Sequence, residues 1–248
     1  MPLAPALPAK DLATAGSAML EARTIADEMM DADDLDPAIY ARVLTDLAKV
    51  NTLTMARRPT LGFLDRVLKA HGSGPLKILD VGFGDGDMLR AIHRWGQRRG
   101  VTLTLVGIDL NPKSAAIAHT ATPPEMAIDY RTGDYEALGG AGFDVILSSI
   151  VAHHMSDAEL LTFLRFMEAE ARAAWLINDL HRHAFAYFGY PLLATLMRWH
   201  PIVRHDGRLS IARSYRPGEW VPILKAANIN AARVFREFPF RLCVETIR

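Results

Sequence analysis

Along this chain of 248 residues the spacing of apolar positions changes once, near Pro75. Before it, apolar residues recur every three or four positions. Ile39, Tyr40, Val43, Leu44, Leu47 and Val50 share one stripe, which predicts an amphipathic helix from Pro37. Leu61, Leu64, Val67 and Leu68 predict a second from about Pro59, stopped by Gly72-Ser73-Gly74. After Pro75, short β-rich runs alternate with helical stripes. Ile78 to Val81, Thr102 to Ile108, Met126 to Arg131, Phe143 to Ile150 and Ala174 to Ile177 read as strands. Helices are predicted after Gly86 to about Arg99, from Pro112 at the favoured first position, and from Ser156, which with Glu159 offers a capping box, to about Arg172. Alternation of this kind is the signature of a parallel sheet covered on both faces, an α/β fold.

The alternation stops after Asn178-Asp179 for about forty residues. His181 to Trp199 is aromatic and reads as helical; Pro201 to Arg216 is polar and reads as irregular, with a turn at Asp206-Gly207. A helix near Gly218 to Ala227 and two strands, Arg233 to Phe238 and Leu242 to Ile247, close the chain. Long excursions from a regular scaffold are more often functional than idle, so the stretch at about 180–216 is expected to be a substrate cap. Residues 1 to about 20 carry Pro, Ala, Gly and Ser without periodicity and are expected to be mobile, and an acidic patch from Asp27 to Asp36 encloses Met29-Met30. The organisation read from the pattern is a tail and helical lid over 1–74 and a core over 75–248.

Composition removes several function classes. Lys plus Arg and Asp plus Glu are 28 each, leaving no net field to gather nucleic acid or an anionic membrane. The single cysteine, Cys243, excludes an internal disulfide and, in an apolar strand, reads as a buried inert thiol. No apolar run reaches the ~18 residues of a membrane span, and the proline-broken MPLAPALPAK lacks the early positive charge of a secretory signal, so a cytoplasmic location is expected.

The chemistry concentrates in Lys77 to Ile92, KILDVGFGDGDMLRAI: strand, tight loop with Gly82, Gly84 and Gly86, then helix. Ligands of open α/β sheets bind where a strand's carboxyl end meets the amides of the next helix. A dinucleotide fingerprint needs a third glycine where Asp87 stands, and a phosphate loop needs a lysine after Gly86 that is not there. Asp80 and Asp85 make the loop acidic, which suits a cationic ligand better than a pyrophosphate.

This combination resembles motif I of the class I S-adenosylmethionine-dependent methyltransferases, and the resemblance runs over about Pro75 to Asp179. It implies a Rossmann-like, doubly wound, mostly parallel seven-stranded sheet with an N-terminal helical extension and an antiparallel last strand. It also implies S-adenosyl-L-methionine as cofactor and S-adenosyl-L-homocysteine as product. Asp109 in LVGIDLNP matches the acid that binds the ribose hydroxyls, with Leu110 beside it; Asp134 in RTGDYEAL, followed by Tyr135, matches the residue that contacts adenine. FDVILSSIVAHHM, with Ser148, is similar to the stretch bordering methyl donor and acceptor. Asp80, Gly82, Gly84 and Gly86 complete the expected cofactor set. Two carboxylate oxygens can take two hydrogen bonds from adjacent hydroxyls; for Asp109 the competing reading is a cap of the next helix.

On the acceptor side, His154 is the candidate to face the pocket as a base, or else a neutral imidazole bonded to backbone, the reading favoured for His153. His181 is a second catalytic candidate; with Arg182 it would hold an acidic or enolic acceptor, unless Asp179 simply pairs with Arg182. Phe185, Tyr187, Phe188, Tyr190 and Trp199 form either an apolar acceptor pocket or plain core. Tyr40, Asn51 and Arg57 are placed to cover the cofactor. No metal is implied. The expected acceptor is a small, partly apolar metabolite, first a quinone- or polyketide-like phenol or enol methylated on oxygen, with C- and N-methylation open. A homodimer is open as well. The rival classes are a nicotinamide-dependent oxidoreductase and a non-catalytic binder of the same cofactor.

Overall fold

A computed structural model describes residues 20–32 and 34–248; of the tail expected to be mobile, 1–19 lie outside the described residues. Seven strands, β1 (Leu76–Val81), β2 (Leu103–Asp109), β3 (Ile128–Thr132), β4 (Val145–Ser149), β5 (Ala174–Leu180), β6 (Arg233–Glu237) and β7 (Arg241–Ile247), form one sheet in the order β3-β2-β1-β4-β5-β7-β6. The first five pair in parallel, while β7 runs antiparallel to both β5 and β6. The order reverses between β1 and β4, so their carboxyl ends part there and open a crevice. The doubly wound α/β fold expected from the pattern is the one observed.

Eight α-helices among the described residues surround the sheet: α1 (Pro37–Leu53), α2 (Arg58–His71), α3 (Asp87–Arg99), α4 (Pro112–Ala121), α5 (Asp157–Glu170), α6 (Ala184–Leu196), α7 (Pro201–Arg213) and α8 (Pro217–Ala226). On one face, Phe63, Leu64 and Val67 of α2 and Leu89, Ile92 and Trp95 of α3 cover Ile78, Leu105 and Val145. On the other, Leu160, Phe163 and Met167 of α5 with Trp220 and Leu224 of α8 cover Leu79, Val106 and Ile146. Strands buried on both faces explain why those runs are continuously apolar rather than alternating. The capping box at Ser156 and Glu159 forms as expected. Cys243 is buried, and burial pushes its thiol up to about 12, the inert state read for it.

The irregular reading of Pro201 to Arg216 does not hold: Pro201–Arg213 is an α-helix. A third, smaller core explains it. Val43 and Val50 of α1 pack with Ala194 of α6, Trp199 of the connection, and Ile202 and Val203 of α7, so the excursion after β5 is tied to the N-terminal helix. No helix among the described residues is long and apolar enough to cross a membrane.

Candidate active site

A cleft of about 360 Å³ opens where β1 and β4 part, a volume within the usual range of ligand sites. Gly82, Gly84 and Gly86 all have positive φ (78°, 57° and 77°), the left-handed region that glycine enters without steric cost. Their surroundings differ. A Cβ on Gly82 would stand 2.3 Å from Val151 Cγ2, so the β1 and β4 loops touch there; a Cβ on Gly84 would meet only Leu44 Cδ2 at 4.0 Å and would project into open cleft. Gly86 caps α3 and would collide with the Tyr130 hydroxyl behind the loop at 2.3 Å. Gly82 and Gly84 therefore line the cleft, and Gly86 holds the loop from outside it.

The acidity of the cleft comes from a wider set than the loop alone. Asp85 is compensated by Arg90, 3.0 Å away, and Asp87 by Arg57 at 3.1 Å. Asp80 is fully buried with Oδ1 lacking any hydrogen-bond partner, and burial, then Asp87 and Asp109, raise its carboxyl well above the usual carboxylate range. An orphaned buried acceptor beneath the glycine loop fits a ligand carrying a positive charge or N–H donors. Asp109, at the end of β2, accepts from the Gly84 amide through Oδ2 and from the Asn111 amide through Oδ1, each at 2.9 Å. The cap of α4 is Asn111, whose side chain accepts from Lys113 N, so the capping role weighed for Asp109 belongs to its neighbour. Burial, opposed by those two amides, raises the Asp109 carboxyl. Leu110 lies beside it on the cleft with 72% exposure, an apolar shelf facing solvent.

Asp134 is exposed and accepts from the Glu136 amide at 2.9 Å, capping the 3₁₀ turn Tyr135–Leu138. Its neighbours Gly133 and Tyr135 are the ones on the cleft wall. Ser148 is buried with Oγ directed to Val81 O at 3.3 Å; Ser149, one residue on, lines the cleft with a buried, unpartnered Oγ. Ile150 follows on the cleft wall with φ 61°, an outlier for a β-branched residue that costs on the order of 1–3 kcal/mol. Tyr40, Asn51 and Arg57, from the N-terminal helices, all reach the cleft, and the Tyr40 hydroxyl lies 3.2 Å from Ser114 Oγ.

The other end of the cleft was only half visible in the sequence. His154 lines it, as expected, but so do Glu28, Met30, Asp31 and Ser210, brought by the N-terminal segment and α7. His153 is not the backbone-bonded neutral imidazole read for it. Its Nδ1 lies 2.7 Å from Asp179 Oδ1; burial alone would push the ring down, but Asp179 and Glu28 outweigh it and raise it to about 9. Asp179 thus serves His153 rather than Arg182. Arg182 is buried and instead donates to the carbonyls of Leu20 and Ser214 and to Glu219. His181 lies outside the cleft: its amide donates to Phe240 O, it bridges Tyr215, and burial lowers its ring to about 4. None of Phe185, Tyr187, Phe188, Tyr190 and Trp199 lines the cleft; Trp199 is core, and Tyr190 stacks on it at 6.2 Å. The acidic patch Asp27 to Asp36 was the one available signal for Glu28 and Asp31, and nothing in the local sequence says where that segment docks.

A family model described as a methyltransferase domain matches residues 78–171, from β1 to the end of α5. The ubiquinone biosynthesis O-methyltransferase of Bartonella quintana (strain Toulouse) is 30% identical over 136 residues, 53% of this chain and 52% of that protein. The protein of the same description from Brucella ovis is 29% identical over 136 residues, with the same coverage. The chain thus spans about half the length of the curated relatives it matches. Among solved structures, the plantazolicin methyltransferase BpumL in complex with a pentazolic desmethylPZN analog and SAH superposes with a TM-score of 0.65 at 13% identity, covering 96% of this chain and 97% of that one. Magnesium protoporphyrin IX methyltransferase from Synechocystis PCC 6803 with bound SAH gives 0.52 at 18% identity, covering 78% and 84%. Identities this low show likeness of fold. The matched segment, the glycine loop and the strand order give residues 78–171 the character of a methyltransferase domain, within a chain that shares its fold with solved methyltransferases holding SAH.

Proposed function

We propose that this protein binds S-adenosylmethionine and transfers its methyl group to an oxygen of a small, partly apolar phenol or enol. The observation that carries the reading is the orphaned Asp80 carboxylate beneath a glycine loop, in one cleft with His154 and Glu28. Bound there, S-adenosylmethionine supplies an electrophilic methyl group on a sulfonium. Asp80 offers its unpartnered oxygen to the cationic part of the cofactor, Gly82 and Gly84 allow close backbone approach, and Asp109 has further lone pairs for the ribose hydroxyls. Leu110 and Tyr135 give apolar surface for the adenine, and Asp134 supports Tyr135 by capping its turn. Near-attack alignment can supply about 7–11 kcal/mol of the barrier to such a displacement. His154 and Glu28 are the groups on the far wall that govern the acceptor's proton. The preference for oxygen draws on the curated relatives, which are named as O-methyltransferases of ubiquinone biosynthesis.

Calorimetry with S-adenosylhomocysteine, NAD and NADP tests the cofactor; NAD binding without S-adenosylhomocysteine binding overturns it. Isotope-labelled S-adenosylmethionine offered with phenols, enols and amines tests the acceptor. Label recovered only on nitrogen or carbon overturns O-methylation. His154→Ala is expected to lose turnover while keeping S-adenosylhomocysteine affinity.

A further inference from the structure

The acceptor end of the cleft holds more acid and imidazole than the handling of one proton requires. Glu28, His153 and His154, from two distant parts of the chain, each place a ligand atom within 4.8 Å of the others. Both rings aim Nε2 at one oxygen: His153 Nε2 lies 3.7 Å and His154 Nε2 3.8 Å from Glu28 Oε1. Those distances are too long for hydrogen bonds, and His153 Nε2 is buried with no hydrogen-bond partner. Donors bound to one tetrahedral ion at ~2.1 Å stand about 3.4 Å apart, so contraction by a few tenths of an ångström would close both of these pairs around a cation.

The outer sides of the rings are arranged to match. His153 Nδ1 lies 2.7 Å from Asp179 Oδ1, and His154 Nδ1 lies 3.4 Å from Asp31 Oδ2. For His153 the hydrogen-bonded carboxylate on the far nitrogen fixes the tautomer and leaves Nε2 as the ligand, the usual second layer of a histidine metal site, while Asp31 stands near His154 without a hydrogen bond.

We propose that Glu28, His153 and His154 bind a divalent transition-metal ion, with His153 oriented by Asp179 and a coordination position open to the cleft. Two imidazoles and one carboxylate suit zinc and its first-row neighbours; magnesium and calcium prefer all-oxygen sets. Binding displaces protons from the rings and is weakened at low pH. The consequence, though not the site, rests on the methyl-transfer reading: an acceptor hydroxyl on the open position has its proton affinity lowered by the ion and releases the proton to solvent, with His154 acting as ligand.

The test uses full-length protein stripped with EDTA, titrated with Zn²⁺ by calorimetry and with Co²⁺ by visible absorption. One ion per chain is expected, with Co²⁺ ligand-field bands, and affinity at least ten-fold weaker in Glu28→Gln and in His154→Ala. His154 is partly exposed, so its variant should keep the wild-type melting temperature. No saturable binding, or binding undiminished in both variants, overturns the site. S-adenosylhomocysteine titrated into the same stripped protein separates the two proposals: its binding without metal uptake defeats the ion site alone, and metal uptake without it defeats the cofactor reading alone.

Discussion

Asp80 is where stability and binding oppose each other most directly. Burial, with Asp87 and Asp109 nearby, raises its folded-state carboxyl well above the ordinary 3.8. A raised carboxyl binds its proton more tightly folded than unfolded, so its contribution to stability falls as pH climbs from about 4 upward. Asp80→Asn removes that term. The ligand-free variant is expected to melt higher than wild type at pH 8 by ~2–4 °C, for about 1 kcal/mol in a chain of this size, with a smaller gain at pH 5. Its affinity for S-adenosylhomocysteine should fall. Thermal melts at the two pH values check the first claim, and a gain that does not grow with pH defeats it. Asp109→Ala acts differently: it frees the amides of Gly84 and Asn111 and, on the proposed role, removes the ribose contact, and is expected to weaken S-adenosylhomocysteine by about 1–3 kcal/mol. Unchanged affinity in calorimetry would reassign Asp109 to bracing the loop. The place of both residues on the cleft was legible in the sequence because they sit at strand ends of a regular sheet. Glu28 was not, since a carboxylate in an acidic stretch looks like any solvated charge until the fold buries it.

The elements of the sheet and its covering helices follow from apolar period, and their ends from Pro112, Ser156 and Gly72. The failure was α7. Asp206-Gly207 carries turn chemistry, but in the helix each residue answers a tertiary demand that local sequence does not display. The Asp206 side chain accepts from the amides of Met29 and Met30 at 3.0 and 2.9 Å. Gly207 lets α6 approach: a Cβ there would fall 2.3 Å from the ring of Tyr190, whose hydroxyl is held by Val203 O at 2.9 Å. Alanine favours a helix over glycine by about 1 kcal/mol. Gly207→Ala is nevertheless expected to destabilise by roughly 1–3 kcal/mol through overpacking. Gly62→Ala in α2, where a Cβ meets only Arg66 Nη1 at 3.8 Å, is the matched control and should stabilise. Chemical denaturation of the pair decides; equal gains would show that Tyr190 yields freely.

At the scale of the molecule, the cleft is assembled from two sources that the sequence keeps apart. The sheet supplies the end proposed for the cofactor, and its glycine loop and strand-end acids lie within β1 to β4. The acceptor end needs the segment from Leu20 to Asp31 laid against α7, and long-range backbone contacts hold it there. Arg182 donates to Leu20 O at 3.0 Å, Arg213 to Ala26 O at 2.7 Å, and Arg23 to Arg213 O at 2.7 Å. Arginines that grip carbonyls leave no pattern in composition or period, which is why this half of the site could not be read beforehand. Asp206 fixes the two amides that follow Glu28, so it sets where Glu28 lies. Asp206→Ala leaves those amides without their acceptor, at a local cost of about 1–3 kcal/mol. Faster hydrogen exchange is expected over 20–31, with exchange in β1 and β2 and the affinity for S-adenosylhomocysteine unchanged, because Asp80 and Asp109 belong to the sheet. Turnover should fall as Glu28 loses its position. If exchange instead rises throughout the sheet, the segment is part of the folding core, and the division of the cleft into a rigid donor end and a strapped acceptor end is wrong.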